Sequence, residues 1–263
     1  MITISIDPII FNVGHFGLRW YGLILALAVA IGFWLATKEA GRKGFNKNDL
    51  YDAATWIAAA GLLGARLFYV IDHWPDQFAA DPISALYIWQ GGLVIWGAMI
   101  GGLLAIVILA RRRKWPLLRL LDAFVPGLVL AQAIGRVACI ITGDTVGPAT
   151  SGPFGLAYTN PGAMVPQLGV YYTPMPVYEL VGNLIIFGLV WQLRKRKLSD
   201  GVLFVIYLTL YSFERFLLGY TSAFKLVAFG FNQSQLISLA VLAGIVLFFV
   251  GRSLLKLRPS QTK

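Results

Sequence analysis

Charge is scarce in this chain. Of its 263 residues only 13% are charged, while 58% are hydrophobic and the mean hydropathy is +0.72. Water-soluble domains carry about 25% charged and about 45–50% apolar residues. A surface built from this composition would aggregate in water, which excludes a soluble enzyme. Cysteine is scarcer still. Cys139 stands alone, so no disulfide forms within the chain and no zinc spacing exists. Histidine occurs only at His15 and His73. Neither a phosphate-binding loop nor a dinucleotide fingerprint is present. Residues 1–15 contain Asp7 and no Lys or Arg, so the basic segment of a cleavable signal peptide is missing and none is expected.

Long apolar runs are what the chain has instead. They fall at about 16–37, 50–71, 91–110, 119–140, 176–193, 201–219 and 234–255. A helix crosses the hydrocarbon core with about 20 mostly apolar residues. The expectation is an all-α, polytopic membrane protein with about seven transmembrane helices, forming a single integral membrane domain over 1–263. No internal repeat, low-complexity tract or domain boundary is apparent.

The net charge is +10, and its distribution points to membrane orientation rather than to nucleic acid. Seventeen of the 22 basic residues lie in the first, third and fifth connections and the C-terminal tail, in clusters such as Arg111–Lys114 and Arg194–Lys197. The connections 72–90, 141–175 and 220–233 hold only Lys225. Basic residues concentrate in cytoplasmic loops, which predicts a cytoplasmic C-terminus and an N-terminus outside. The segment 141–175, rich in Gly, Pro and Thr, is then a long outer loop that covers a site or connects two helices.

Four arginines break the apolar pattern. Arg19 precedes the first run, and Arg66, Arg136 and Arg215 lie towards the outer ends of the second, fourth and sixth. An arginine at mid-bilayer costs about 2.5–3.5 kcal/mol on insertion scales. Each either snorkels to the interface, bonds a backbone carbonyl, or faces a polar cavity. With few acids nearby, the four are not expected to be neutralised internally and call for an anion. At this depth the simplest one is a phospholipid headgroup, whose phosphate suits the bidentate guanidinium fork.

The remaining polar residues have two readings each. Asp122 pairs with Arg119 or caps its helix. Glu179 supports a site or favours a helix N-terminus. Asp144, in the turn Thr142-Gly143-Asp144, orients an arginine, acts as an acid/base group, or merely makes the turn. Glu214 directly precedes Arg215, about 100° away around the helix, and is a poor partner for it. His15 and His73 have the intrinsic pKa of a general base but lie in no motif. Cys139, among Val137, Ala138, Ile140 and Ile141, reads as buried and inert. Gly91, Gly92, Gly97, Gly101 and Gly102 permit close packing of the third span.

Taken in order, several segments resemble the prolipoprotein diacylglyceryl transferase family. They are Arg19-Trp20-Tyr21-Gly22, Gly64-Ala65-Arg66-Leu67, Trp89-Gln90-Gly91-Gly92, Gly135-Arg136, Pro174-Met175-Pro176-Val177-Tyr178-Glu179, Arg215-Phe216 and Gln235-Leu236-Ile237-Ser238. The family pattern after the fourth span, Gly-Arg-x-Gly-Asn-Phe-x-Asn-Gly-Glu-x-x-Gly, is kept at Gly135, Arg136, Gly143 and Gly147. Asp144 replaces the glutamate, and Ala138, Cys139, Ile140 and Thr142 replace other specified residues. Trp96 stands where many members carry histidine, and Gly219 matches a family glutamate.

The resemblance implies transfer of the diacylglyceryl group from phosphatidylglycerol to the lipobox cysteine thiol of a prolipoprotein signal peptide. Glycerol phosphate is released, in the cytoplasmic (inner) membrane, without metal or organic cofactor. Arg136 and Arg215 would grip the phosphate and stabilise the leaving group, with Arg66 in support. Tyr21 and Asp144 would orient headgroup or thiol, and Gly147 would allow close approach. The base is open between Asp144, His73 and water, and a free thiol with pKa of about 8.5 needs little help. The alternative is a phospholipid-binding or lipid-transporting protein on the same scaffold, without transferase activity. The lipid bilayer is a partner on either reading; nucleic acid is not.

Overall fold

The computed structural model describes residues 1–13, 16–79, 81–87, 91–92 and 94–257. His15, Trp89, Gln90, Arg258 and Lys263 lie outside them. Seven α-helices occur among the described residues: α1 (Trp20–Arg42), α2 (Lys47–Asp72), α3 (Ile95–Arg112), α4 (Leu117–Thr142), α5 (Met175–Leu193), α6 (Val202–Leu218) and α7 (Gln233–Leu257). Each falls on one of the apolar runs. Helices α1, α2, α4, α5 and the segment Val202–Thr221 are long and apolar enough to cross a membrane, and Gln233–Phe248 is a shorter apolar helix. Their outward faces remain apolar. Leu63, Leu67 and Ile71 on α2 are each more than 60% exposed, and Ile185 on α5 is 59% exposed. Faces of this kind suit hydrocarbon, and helices satisfy their own backbone there.

The helices are joined by more ordered structure than the sequence announced. Three two-stranded sheets accompany them. β1 (Ile2–Ile4) runs parallel to β4 (Leu156–Tyr158), with Ile2 opposite Leu156. β2 (Ile9–Val13) and β3 (Phe16–Arg19) form an antiparallel pair, as do β5 (Leu226–Ala228) and β6 (Phe231–Asn232). These segments are too short to cross a membrane, yet their backbone groups still need partners.

By its contacts the chain divides into two compact units. One comprises Met1–Ala36 and Phe124–Lys263, the other Thr37–Ala123.

In the first unit, Val125, Val129, Ile186, Val190, Leu203 and Tyr207 form a buried core between α4, α5 and α6. Gly32 and Gly127 let α1 and α4 touch backbone to backbone. A Cβ on Gly127 would lie 3.0 Å from the Ala36 nitrogen, and one on Gly32 would lie 2.8 Å from Ala131 Cβ. Pro174 and Pro176 open α5, where a missing N–H costs nothing. Helix α7 begins with a reciprocal cap. Asn232 Oδ1 accepts from the Gln235 N–H at 3.0 Å, and Gln235 Oε1 accepts from the Asn232 N–H at 3.1 Å. Gln235 fills the space beside Gly219, where a Cβ would come within 2.6 Å of its Cδ.

In the second unit, α2 packs along α3 through the small residues Ala60, Gly64, Gly97 and Gly101. A Cβ on Gly64 would sit 3.2 Å from Gly101 Cα and still closer to the Gly97 carbonyl oxygen. This is the close approach expected of the third span's glycines, and it follows the small-xxx-small spacing of membrane helix pairs. Asn46 caps α2 by accepting from the Asn48 N–H at 3.0 Å. Asp122, expected to pair with Arg119 or cap its helix, lies 3.6 Å from Lys43 Nζ. Arg113 donates to the Asp49 carbonyl at 2.7 Å, tying the basic end of α3 to the start of α2.

Candidate active site

Three helices of the first unit bring the polar groups together. Arg136 projects from α4, Glu179 from the first turns of α5, and Arg215 from the end of α6. Arg136 Nε lies 2.8 Å from Glu179 Oε2, and Arg215 Nη1 pairs with Glu179 Oε1. The Glu179 side chain is 1% exposed, against 21% for Arg136 and 16% for Arg215. Two of the arginines that called for an anion thus share one inside the protein. The sequence had suggested too few acids to neutralise them. Residues 43 and 36 positions away from a single carboxylate do not advertise the pairing, and only the packing of α4, α5 and α6 creates it.

A second polar layer surrounds this triad. Tyr211 hydrogen-bonds the Arg136 side chain. One turn earlier on each helix, the Tyr207 hydroxyl lies 3.1 Å from Gln132 Oε1 and donates to it. Tyr207 and Tyr211 stack with centroids 5.7 Å apart. Arg136 Nη1 also reaches Cys139 Sγ at 3.9 Å. Cys139 is buried, as expected, but borders the triad rather than packing only among apolar neighbours. Asn183, one turn beyond Glu179, donates to the Glu179 carbonyl at 2.7 Å.

Asp144 sits in the turn that ends α4. Gly143 at φ +75° and Thr145 at φ +59° bend the chain there, and the Gly143 N–H donates to the Cys139 carbonyl at 2.9 Å. Tyr21, at the start of α1, is within electrostatic range of Cys139, Asp144 and Arg136. The expected quartet Arg136, Arg215, Asp144 and Tyr21 therefore belongs to one unit. Arg19 is exposed at the end of β3.

The segment 141–175 is folded tightly. Val146, Leu156, Tyr158 and Tyr172 form its own core. The Tyr158 hydroxyl donates to the Ile140 carbonyl at 2.8 Å, and burial pushes it up to about 12. Gly147 permits a close approach, but to the chain's own backbone. A Cβ there would sit 2.8 Å from Thr173 Cβ and still closer to the Thr221 carbonyl.

Arg66 is placed differently. In the second unit its Nε donates to the Ala85 carbonyl at 2.8 Å, Nη1 to those of Gly91 at 2.6 Å and Gly92 at 3.2 Å, and Nη2 to that of Ser84 at 2.9 Å. Its guanidinium also lies 5.5 Å from the Phe78 ring centre. A fork already spent on four carbonyls shapes the segment ahead of α3, which is the carbonyl-bonding alternative considered for it. The cavity beside it, about 370 Å³, is lined by Tyr69, Gln77, Phe78, Asp81 and Ser84. His73 stacks on Tyr69 at 4.2 Å, at the end of α2.

Sequence reasoning passed over Tyr211 and weighed Glu214 only as a partner for Arg215. The signal was present. Tyr207, Tyr211 and Glu214 recur at intervals of four and three along an apolar helix, so they share one face.

Apolar helices with buried ionic clusters define a multi-pass helical membrane protein. Residues 8–250 match the family described as prolipoprotein diacylglyceryl transferase. The chain is 33% identical to the phosphatidylglycerol–prolipoprotein diacylglyceryl transferase of Halalkalibacterium halodurans over 93% of its length and 86% of that protein. It is 32% identical to the proteins of the same name from Lactobacillus acidophilus and Listeria welshimeri. It is covered for 97% in both cases and spans 94% and 92% of them. The chain belongs to the prolipoprotein diacylglyceryl transferase family.

Proposed function

We propose that this protein moves the diacylglyceryl group of phosphatidylglycerol onto the lipobox cysteine of a prolipoprotein signal peptide. On this reading all seven helices cross the cytoplasmic membrane, the N-terminus lies outside, and the site opens to the outer face. The observation that carries it is the Arg136–Glu179–Arg215 cluster, in a chain whose relatives bear that activity in their names.

The reaction asks for what this cluster offers. The thiol sulfur attacks a glyceryl carbon, the carbon–oxygen bond to phosphate breaks, and its electron pair leaves with glycerol phosphate. Charge grows on the phosphate oxygen as the bond stretches. Guanidinium donors fixed beforehand stabilise that charge without reorganising. Glu179 keeps two such groups oriented, and an incoming phosphate competes for their remaining N–H donors. Tyr21, within electrostatic range of both Asp144 and Arg136, would orient headgroup or thiol together with Asp144. Gly147 holds the outer segment against Thr173 and Thr221, and Arg66 acts at a remove by fixing the segment ahead of α3.

Complementation of a transferase-deficient bacterial strain tests the reading. Expression of this chain should restore lipid-modified lipoproteins, and R136A, inserted at the same level, should not. Failure of the unaltered chain while it accumulates in the membrane would favour a lipid-binding role without transfer.

A further inference from the structure

The site contains a carboxylate that its ion pairs do not use. Glu214 follows Tyr211 on α6, and both of its carboxylate oxygens are buried without a hydrogen-bond partner. Burying an uncompensated polar group costs about 1–3 kcal/mol or more, so such a group invites a reason. Space is reserved for it. Gly182 on α5 faces Glu214, and a Cβ at Gly182 would collide with the Glu214 carboxylate. The ionisable groups that act on it are Arg136 of α4 and, on its own helix, Tyr207 and Tyr211. Glu179, three residues before Gly182, is occupied by both arginines.

Building on the transfer reaction proposed above, we infer that Glu214 is the proton acceptor for the attacking thiol. Each carboxylate then has its own task. Glu179 is committed to two guanidinium groups and cannot take a proton without releasing them. Glu214 carries free lone pairs next to Arg136, the group assigned to the phosphate. The S–H proton passes to a Glu214 oxygen as the sulfur–carbon bond forms, and the carbon–oxygen electron pair departs with the phosphate. The protonated Glu214 releases its proton after glycerol phosphate leaves. No other reactant is needed.

The test compares the full-length protein with its E214Q variant in phosphatidylglycerol vesicles, using a lipobox peptide, from pH 6.5 to 9.5. A general base contributes about 10²–10⁴-fold. At pH 7 E214Q should therefore be slower than the unaltered protein by about that factor. A thiol with pKa of about 8.5 ionises by itself as the pH rises. The deficit should accordingly shrink by about 30-fold between pH 7 and 9.5, whereas a merely structural role leaves it the same at every pH. E214D, which keeps the carboxylate one methylene shorter, should show a smaller deficit that also closes with pH. It decides by the same criterion if E214Q does not accumulate. An equal rate at pH 7, or a pH-independent deficit, overturns the assignment of Glu214 alone. An unaltered protein that forms no adduct at any pH overturns the transfer reaction itself.

Discussion

Glu179 joins Arg136 to Arg215, one carboxylate linking guanidinium groups from two other helices. Removing one partner of a buried ion pair typically costs about 3–5 kcal/mol, because the other charge is left uncompensated. Here two charges would be stranded. E179Q should lower the thermal unfolding midpoint in detergent and abolish turnover while phosphatidylglycerol binding persists through the arginines. Thermal denaturation and lipid binding on the same preparation check this. An unchanged midpoint would show that the triad contributes nothing to stability.

Arg136 is the residue on which the largest catalytic effect is expected. R136A should reduce turnover by at least about 10²–10³-fold, the scale of losing a preorganised donor to a developing oxyanion. R136K retains charge but lacks the planar fork that reaches Glu179, Tyr211 and phosphate together, and should recover only part of the loss. Rates with membrane-inserted protein at matched levels decide it. Near-normal turnover in R136A removes Arg136 from the chemistry.

The helices were legible in the sequence because bilayer-length apolar runs leave little ambiguity, and every run coincides with a helix. The relevant arginines were legible for the complementary reason, since charge inside such a run is costly. Their partners were not. Glu179 meets Arg136 and Arg215 only through tertiary packing, and Arg66 spends its fork on the carbonyls of Ser84, Ala85, Gly91 and Gly92, whose positions depend on the tertiary fold. Glu214 was set aside for its angle to Arg215, which is sound, but its actual neighbours are on α4 and α5. The short strands were hidden because two to five residues carry too little periodicity to show.

Arg66 should prove to be a brace. R66K replaces a fork with a point charge that cannot span four carbonyls. Amide hydrogen exchange should accelerate in residues 81–87 and 91–92 and remain unchanged in α4 and α5. A variant with unaltered exchange there but weakened lipid binding would return Arg66 to the headgroup.

Between α2 and α3, the contact at Gly64 and Gly97 has no room for a side chain. G97L must push the helices apart, and overpacking of this kind typically costs about 1–3 kcal/mol or more. G102L, at a position whose nearest neighbour is Ile57 Cγ2 at 3.8 Å, should be tolerated much better. Thermal stability in detergent ranks the two, and equal tolerance would contradict the packing.

Tyr158 gives the segment 141–175 a pH signature. Its hydroxyl is pushed up to about 12 when folded, against about 10 in an unfolded chain. Between those values the unfolded chain binds fewer protons, so stability falls as pH rises through about 10 to 12. Y158F should flatten that fall, as read by chemical denaturation across the window. An identical slope in both proteins would show that Tyr158 does not contribute.

The most direct test of transfer combines purified protein, phosphatidylglycerol vesicles and a peptide bearing a lipobox cysteine. Mass spectrometry should find the peptide heavier by one diacylglyceryl group, attached at sulfur, with glycerol phosphate released in equal amount. A peptide that stays unmodified with every anionic lipid supplied, under conditions where the protein is folded and binds lipid, contradicts it.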